Sequence, residues 1–122
     1  MLDIGDVARR AGIRPSTLRY YEDLGLLAST DRAGGRRQYD ESVLRRLEVI
    51  AFAKESGFTL GQIRDLLSGP GHATEGRHAL TRRKLEEVNA RIARAEAMRT
   101  LLEASLACDC RALEECPAVG CR

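Results

Sequence analysis

Pro15-Ser16-Thr17-Leu18-Arg19-Tyr20-Tyr21-Glu22-Asp23-Leu24-Gly25 is the stretch on which the reading of this chain turns. Pro15 carries the backbone angle of a helix start, and Ser16 or Thr17 can cap the free amides of a first turn. Leu18, Tyr21 and Leu24 then fall near one face before Gly25 closes the element. Just upstream, Ile4, Val7, Ala8 and Ala11 recur at steps of three and four and stop at Gly12, a residue suited to a left-handed helix end. Two short helices across a tight glycine-containing turn predict a helix-turn-helix over residues 3–25. Arg14, Ser16, Thr17, Arg19 and Tyr20 lie toward the start of the second helix. That end of a recognition helix brings side chains to major-groove edges while its free amides favour phosphate, so all five are candidate DNA contacts.

Beyond Leu27 the helical period disappears until Asp40, and Ala33-Gly34-Gly35 offers the flexible residues of a hairpin turn. Arg32, Arg36 and Arg37 surround that turn with only Asp31 opposing them. The segment reads as a basic, two-stranded wing, in which Arg36 and Arg37 beside Tyr39 place donors against a phosphate backbone. Asp40 or Ser42 can cap the next helix, whose apolar face runs through Val43, Leu44, Leu47, Ile50, Ala51 and the stem of Lys54 to a stop at Gly57. A shorter helix starts at Thr59 or Leu60, carries Ile63, Leu66 and Leu67, and ends at Ser68-Gly69-Pro70-Gly71, the one strong linker.

From residue 75 to 107 there is no proline, and no glycine interrupts between Gly76 and Gly120. Leu85, Val88, Ile92, Ala95, Met98, Leu102 and Leu106 mark a narrow apolar stripe flanked by Arg, Lys and Glu, as a coiled-coil seam requires. A long helix with so thin an apolar face calls for a partner, and a second copy of the same chain is the simplest one. The expected organisation is a winged helix-turn-helix domain over 1–70, a dimerisation helix over 75–107 and a cysteine-rich tail over 108–122.

Composition sets the bounds on this reading. A chain of 122 residues has room for one compact domain plus an extended element. With 43% hydrophobic but only 4% aromatic residues, its core must rest on Leu, Ile, Val and Ala, which favours a mainly α fold. The formal charge of +2 is too small to mark a nucleic-acid binder by itself, so DNA must be met by local charge. No apolar run approaches the roughly 18 residues of a membrane span. The N-terminus lacks a secretory pattern, and a cytoplasmic, nucleoid-associated protein is expected. Neither a Ser-His-Asp set, a carboxylate pair nor a phosphate loop is present, so catalysis is not expected.

Thr17-Leu18-Arg19-Tyr20-Tyr21-Glu22, Gly25-Leu26-Leu27, Arg36-Arg37-Gln38-Tyr39 and Gly57-Phe58-Thr59-Leu60 with Ile63 together resemble the signature of MerR-family regulators. The resemblance spans residues 3 to about 68, and the long helix sits where that family has an antiparallel dimerisation helix. It implies a homodimer on a near-palindromic operator within a promoter whose spacer is too long. An inducer makes the dimer bend and undertwist this DNA, so that RNA polymerase engages both promoter elements. On the same resemblance, Arg19 and Tyr20 would meet groove and backbone, Arg36 and Arg37 the flanking phosphates, and Tyr39 would support or join the wing contact.

The tail holds all four cysteines, Cys108, Cys110, Cys116 and Cys121, and thiolates hold soft metal ions and iron-sulfur clusters. Cys108-x-Cys110-x5-Cys116 resembles part of the [2Fe-2S] motif of the SoxR-like branch, whose first cysteine is replaced here by Ser105. A [2Fe-2S] cofactor, the favoured reading, would therefore need Cys121 as its fourth ligand. Cys108 and Cys116 also resemble the two loop thiols of copper(I)-sensing members, which makes thiolate-bound copper(I) or zinc the alternative. A thiol-rich or metal-binding protein with no regulatory DNA role is the remaining option, and it leaves residues 1–70 without a purpose.

Overall fold

The computed structural model describes residues 1–29, 31–33 and 36–117. They form β1 (Leu2–Asp3), α1 (Ile4–Ala11), α2 (Pro15–Asp23), β2 (Asp31–Ala33), β3 (Arg36–Tyr39), α3 (Ser42–Glu55), α4 (Leu60–Ser68) and α5 (Thr74–Leu106), with single-turn helices at Pro70–His72 and Leu113–Glu115. The fold is mainly helical, as expected. The chain divides into two compact units, Met1–Thr81 and Arg82–Arg122.

In the first unit, Asp3 caps α1 by accepting the Asp6 amide at 2.8 Å. Gly12 ends that helix at φ 70°, and its amide and that of Ile13 both return to the Ala8 carbonyl. A side chain resists this conformation, so glycine permits the sharp turn into α2. Pro15 opens α2 as expected, but its cap is Arg14, which makes no side-chain capping bond, in place of Ser16 or Thr17. Proline needs no amide partner at this position, which lessens the demand for a cap. Asp40 accepts the Ser42 amide at 2.8 Å at the head of α3. Thr59 and Gln62 close a reciprocal capping box on α4.

The wing proves to be three-stranded. β3 pairs antiparallel with β2 and, on its other edge, with β1, in the register Leu2↔Tyr39 and Asp3↔Gln38. This extra strand ties the start of the chain to the wing. One core of Leu2, Val7, Ala8, Leu18, Tyr21, Leu26, Leu27, Tyr39, Val43, Leu47, Ile50, Ala53 and Ile63 joins the three-stranded sheet to α1, α2, α3 and α4. The turn from α4 to α5 is tightly packed. Asp65 accepts the Gly71 amide at 3.1 Å through its side chain and the Gly69 amide at 2.9 Å through its carbonyl. A Cβ on Gly71 would press on Leu80, and one on Gly76 would strike the Pro70 carbonyl oxygen.

α5 runs for 33 residues, roughly 50 Å at 1.5 Å per residue. Leu85, Ile92, Met98, Leu102 and Leu106 are exposed along it, as is Ala95, while Val88 is half-buried. The apolar stripe read from the sequence is therefore largely uncovered within one copy. No helix among the described residues is long and apolar enough to cross a membrane.

Candidate nucleic-acid interface and metal centre

α2 is held from behind at both ends of its exposed face. Tyr21 and Leu18 point into the core, and the Lys54 ammonium meets the Tyr21 hydroxyl at 3.1 Å. At the C-terminal end, Arg46 donates to the Leu26 carbonyl and Arg64 to the Leu24 carbonyl. Cations at a helix C-terminus complement its dipole, so these two arginines of α3 and α4 fix the axis of α2. Arg14, Ser16, Arg19 and Tyr20 are exposed and Thr17 is half-buried, leaving a polar face free of packing duties.

The wing is joined to α2 by one carboxylate. Glu22 accepts the Ser29 hydroxyl at 2.9 Å through Oε1 and the Tyr39 hydroxyl at 3.0 Å through Oε2. The Arg37 guanidinium adds an ion pair to Oε2 at 3.3 Å. Tyr39 is 0% exposed, so it supports the wing from within and offers no surface to a phosphate. This corrects the expectation that it joins the contact, and the cause is the register that sets it opposite Leu2, facing the core. Burial raises its phenol pKa, and the Glu22 carboxylate adds to that shift. Arg37 keeps only 28% of its side chain exposed and lines a cleft rather than projecting freely. The Arg36 side chain and the turn at 34–35 lie outside the described residues. Ser29, Arg46 and Arg64 were not singled out by sequence reasoning. Their roles depend on carbonyls and carboxylates distant in sequence, which leave no periodic signal.

At the far end of the second unit, three thiols converge. Cys108 Sγ lies 2.8 Å from Cys110 Sγ and 2.7 Å from Cys116 Sγ, and all three sulfurs fall within 4.8 Å of one another. Both separations exceed the roughly 2.05 Å of a disulfide, so no disulfide joins these three cysteines to one another. The last turn of α5 gives way through the Ala107 and Cys108 amides, which bond the Ala104 and Ser105 carbonyls at 3.2 and 3.3 Å. The single turn Leu113–Glu115 then returns Cys116, whose amide bonds the Leu113 carbonyl at 3.1 Å. Cys116 is buried, Cys108 half-buried and Cys110 exposed. Hydrogen bonding with Cys108 and then Cys116 pushes the Cys110 thiol up to about 12. Three thiolates gathered by one soft cation would each bond that ion in place of one another. Among the described residues no histidine or carboxylate joins the group, so the donor set is sulfur alone and suits a soft ion. Ser105 contributes no sulfur, and Cys121 lies outside the described residues.

Known proteins resemble the chain in sequence and in fold. Residues 2–70 match the family model for the MerR HTH family regulatory protein, and residues 44–104 match the one for MerR, DNA binding. The HTH-type transcriptional regulator ZntR of Escherichia coli (strain K12) is 40% identical over 108 residues, covering 84% of this chain and 77% of that protein. The solved transcription regulator PbrR691 from Ralstonia metallidurans CH34, in complex with lead(II), aligns with a TM-score of 0.78 at 29% identity, over 99% of this chain and 98% of its own. HiNmlR, a MerR family regulator lacking the sensor domain and bound to promoter DNA, aligns with a TM-score of 0.56 at 28% identity over 86% of each chain. The relatives are transcription regulators rather than enzymes. With the helix-turn-helix, the wing and the long helix all in place, the chain belongs to the MerR family and is a DNA-binding transcription regulator.

Proposed function

We propose that this regulator works as a homodimer that senses a soft metal ion through Cys108, Cys110 and Cys116 and changes the shape of promoter DNA in response. The observation that carries the sensing half is the convergence of three sulfurs within 4.8 Å at the end of α5. Thiolate ligands select soft ions, and an all-sulfur set with no nitrogen or oxygen donor favours lead(II), copper(I) or zinc over magnesium or calcium. The complex of PbrR691 with lead(II) supports the same class of ligand. A [2Fe-2S] cluster needs four ligands, and with three thiols gathered among the described residues it would take Cys121 as the fourth.

Dimerisation rests on the exposed stripe of Leu85, Ile92, Met98, Leu102 and Leu106 on α5, with Val88 and Ala95 completing the seam. A second α5 laid antiparallel would cover it. DNA contacts fall to Arg14, Ser16, Thr17, Arg19 and Tyr20 on α2 and to Arg36 and Arg37 on β3. Binding that bends or undertwists the spacer is read by RNA polymerase through the promoter alone. The test uses protein purified without oxygen, loaded separately with lead(II), copper(I) and zinc, on a promoter fragment selected by the protein itself. One of these ions should bind stoichiometrically and alter the nuclease or chemical footprint at the centre of the site. A footprint identical with and without each metal would overturn the sensing role.

A further inference from the structure

The three thiols of the second unit are arranged around one of them. Cys108 Sγ lies 2.7 Å from Cys116 Sγ and 2.8 Å from Cys110 Sγ, so it is the sulfur that both others reach. A disulfide closes at roughly 2.05 Å, and thiols already this near need only a small side-chain movement to form one. Access is graded across the group, with Cys110 exposed, Cys108 half-buried and Cys116 buried. A small oxidant can therefore reach Cys108 from the solvent side while Cys116 stands behind it. Redox-responsive cysteines pair an accessible sulfur with a resolving sulfur in this way.

Of the two neighbours, Cys116 is the better placed to close a lasting bridge. Only Asp109 separates Cys110 from Cys108, which leaves little backbone to shape a ring. Cys116 returns after seven intervening residues, presented by the single turn Leu113–Glu115, whose Leu113 carbonyl accepts the Cys116 amide at 3.1 Å. The donor set is sulfur alone among the described residues, so no histidine or carboxylate of the group can replace a lost thiol. The thiolate is the form that binds metal, and a bridge between two of these sulfurs removes two of the three donors.

We propose that the thiol centre is also a redox gate, in which oxidation joins Cys108 to Cys116 and closes the site to metal. The inference rests on the reading of these cysteines as a soft-metal site, and it adds a second signal to that site. The oxidant is a hydroperoxide, with hydrogen peroxide the simplest case. The Cys108 sulfur attacks one peroxide oxygen, the O–O bond breaks, and a sulfenic acid forms while the other oxygen leaves as water. The Cys116 thiol then displaces the sulfenic oxygen as a second water, and the S–S bond forms. Two thiols thus give up two electrons and two protons, and one peroxide becomes two waters. A dithiol reverses the bridge by exchange. Metal and oxidant compete for the same sulfurs, so bound metal shields them and the bridge excludes metal.

The test treats the full chain, purified without oxygen and stripped of metal, with hydrogen peroxide. Its intact mass should fall by two hydrogens, and peptide mapping should find Cys108 joined to Cys116. Lead(II) uptake should be lost and should return with dithiothreitol. Protein loaded with lead(II) beforehand should resist the same dose. C110S should still form the bridge although it has lost a metal ligand, which separates the redox step from metal binding. C116S should accumulate the sulfenic acid on Cys108, trapped as its dimedone adduct. If the reduced protein takes up lead(II) but peroxide produces no such bridge, or the bridge leaves uptake unchanged, the gate is overturned and metal sensing stands. A bridge from Cys108 to Cys121 in place of Cys116 overturns it equally. If the reduced protein takes up no lead(II), copper(I) or zinc, metal sensing falls and the gate falls with it.

Discussion

The Tyr39 hydroxyl donates to Glu22 Oε2 at 3.0 Å and thereby fastens the wing to the recognition helix. The bond lies beneath the face proposed to meet DNA, and the same carboxylate also holds Ser29 and Arg37. The relative setting of helix and wing thus depends on one half-buried acceptor.

Y39F removes that donor while keeping the ring in the core. A lost hydrogen bond to a charged acceptor costs about 1.5–3 kcal/mol, and here Ser29 and Arg37 remain to satisfy Glu22, so the low end is expected. Urea denaturation should register the loss, and DNA binding should weaken because the wing is less firmly held. Unchanged values of both would dismiss the fastening role.

Alkaline pH gives a second view of the same contact. The Tyr39 pKa is raised from its ordinary 10.0, chiefly by burial and then by Glu22. Its contribution to stability is complete below the unfolded value and is lost as pH rises through the higher folded value, because the unfolded phenol ionises first. Denaturation midpoints measured from pH 9 upward should therefore fall more steeply for the wild type than for Y39F.

Gly76→Ala should destabilise the first unit by about 1–3 kcal/mol, the usual range for forcing an atom into a filled space. The added Cβ meets the Pro70 carbonyl oxygen, a backbone atom that cannot swing aside. Thermal unfolding followed by circular dichroism would report it, and a variant as stable as the wild type would show that the turn before α5 yields easily.

Metal uptake should release protons. The three thiols must ionise to bind an ion, and their mutual hydrogen bonding holds Cys110 at about 12. Affinity for lead(II) should thus fall as pH falls, and calorimetry in buffers of different ionisation enthalpy would count the protons set free. A pH-independent affinity would mean that the sulfurs are not the ligands.

Ile92→Asp together with Leu102→Glu would place charges in the seam of the proposed dimer. Sedimentation should then report monomers, with the DNA-binding domain still folded. A dimer that survives both changes would move the interface away from this stripe of α5.

Much of this was legible in the sequence, for reasons that separate local from distant causes. The spacing of Ile4, Val7 and Ala8, of Val43, Leu47 and Ile50, and the glycine at 12 report contacts within a turn or two, and the helices they predict are present. β1 was missed because a two-residue strand has no period, and its partner Tyr39 lies far along the chain. The inward turn of Tyr39 follows from that same pairing, so its aromatic hydroxyl reads as a wing contact until the register is known. The thiol centre was half legible. Cysteine chemistry marks the tail as a ligand site, but the short turn Leu113–Glu115 that returns Cys116 to Cys108 and Cys110 depends on a local bend without a recognisable spacing.

X-ray absorption of the anaerobically purified protein after loading with lead(II) tests the central claim most directly. The first shell around the ion should consist of about three sulfur atoms, as expected of a soft ion held by thiolates. The signal should disappear in a variant with Cys108, Cys110 and Cys116 all changed to serine. A shell of oxygen or nitrogen, or iron and sulfide in equal amounts in the protein as purified, would contradict it.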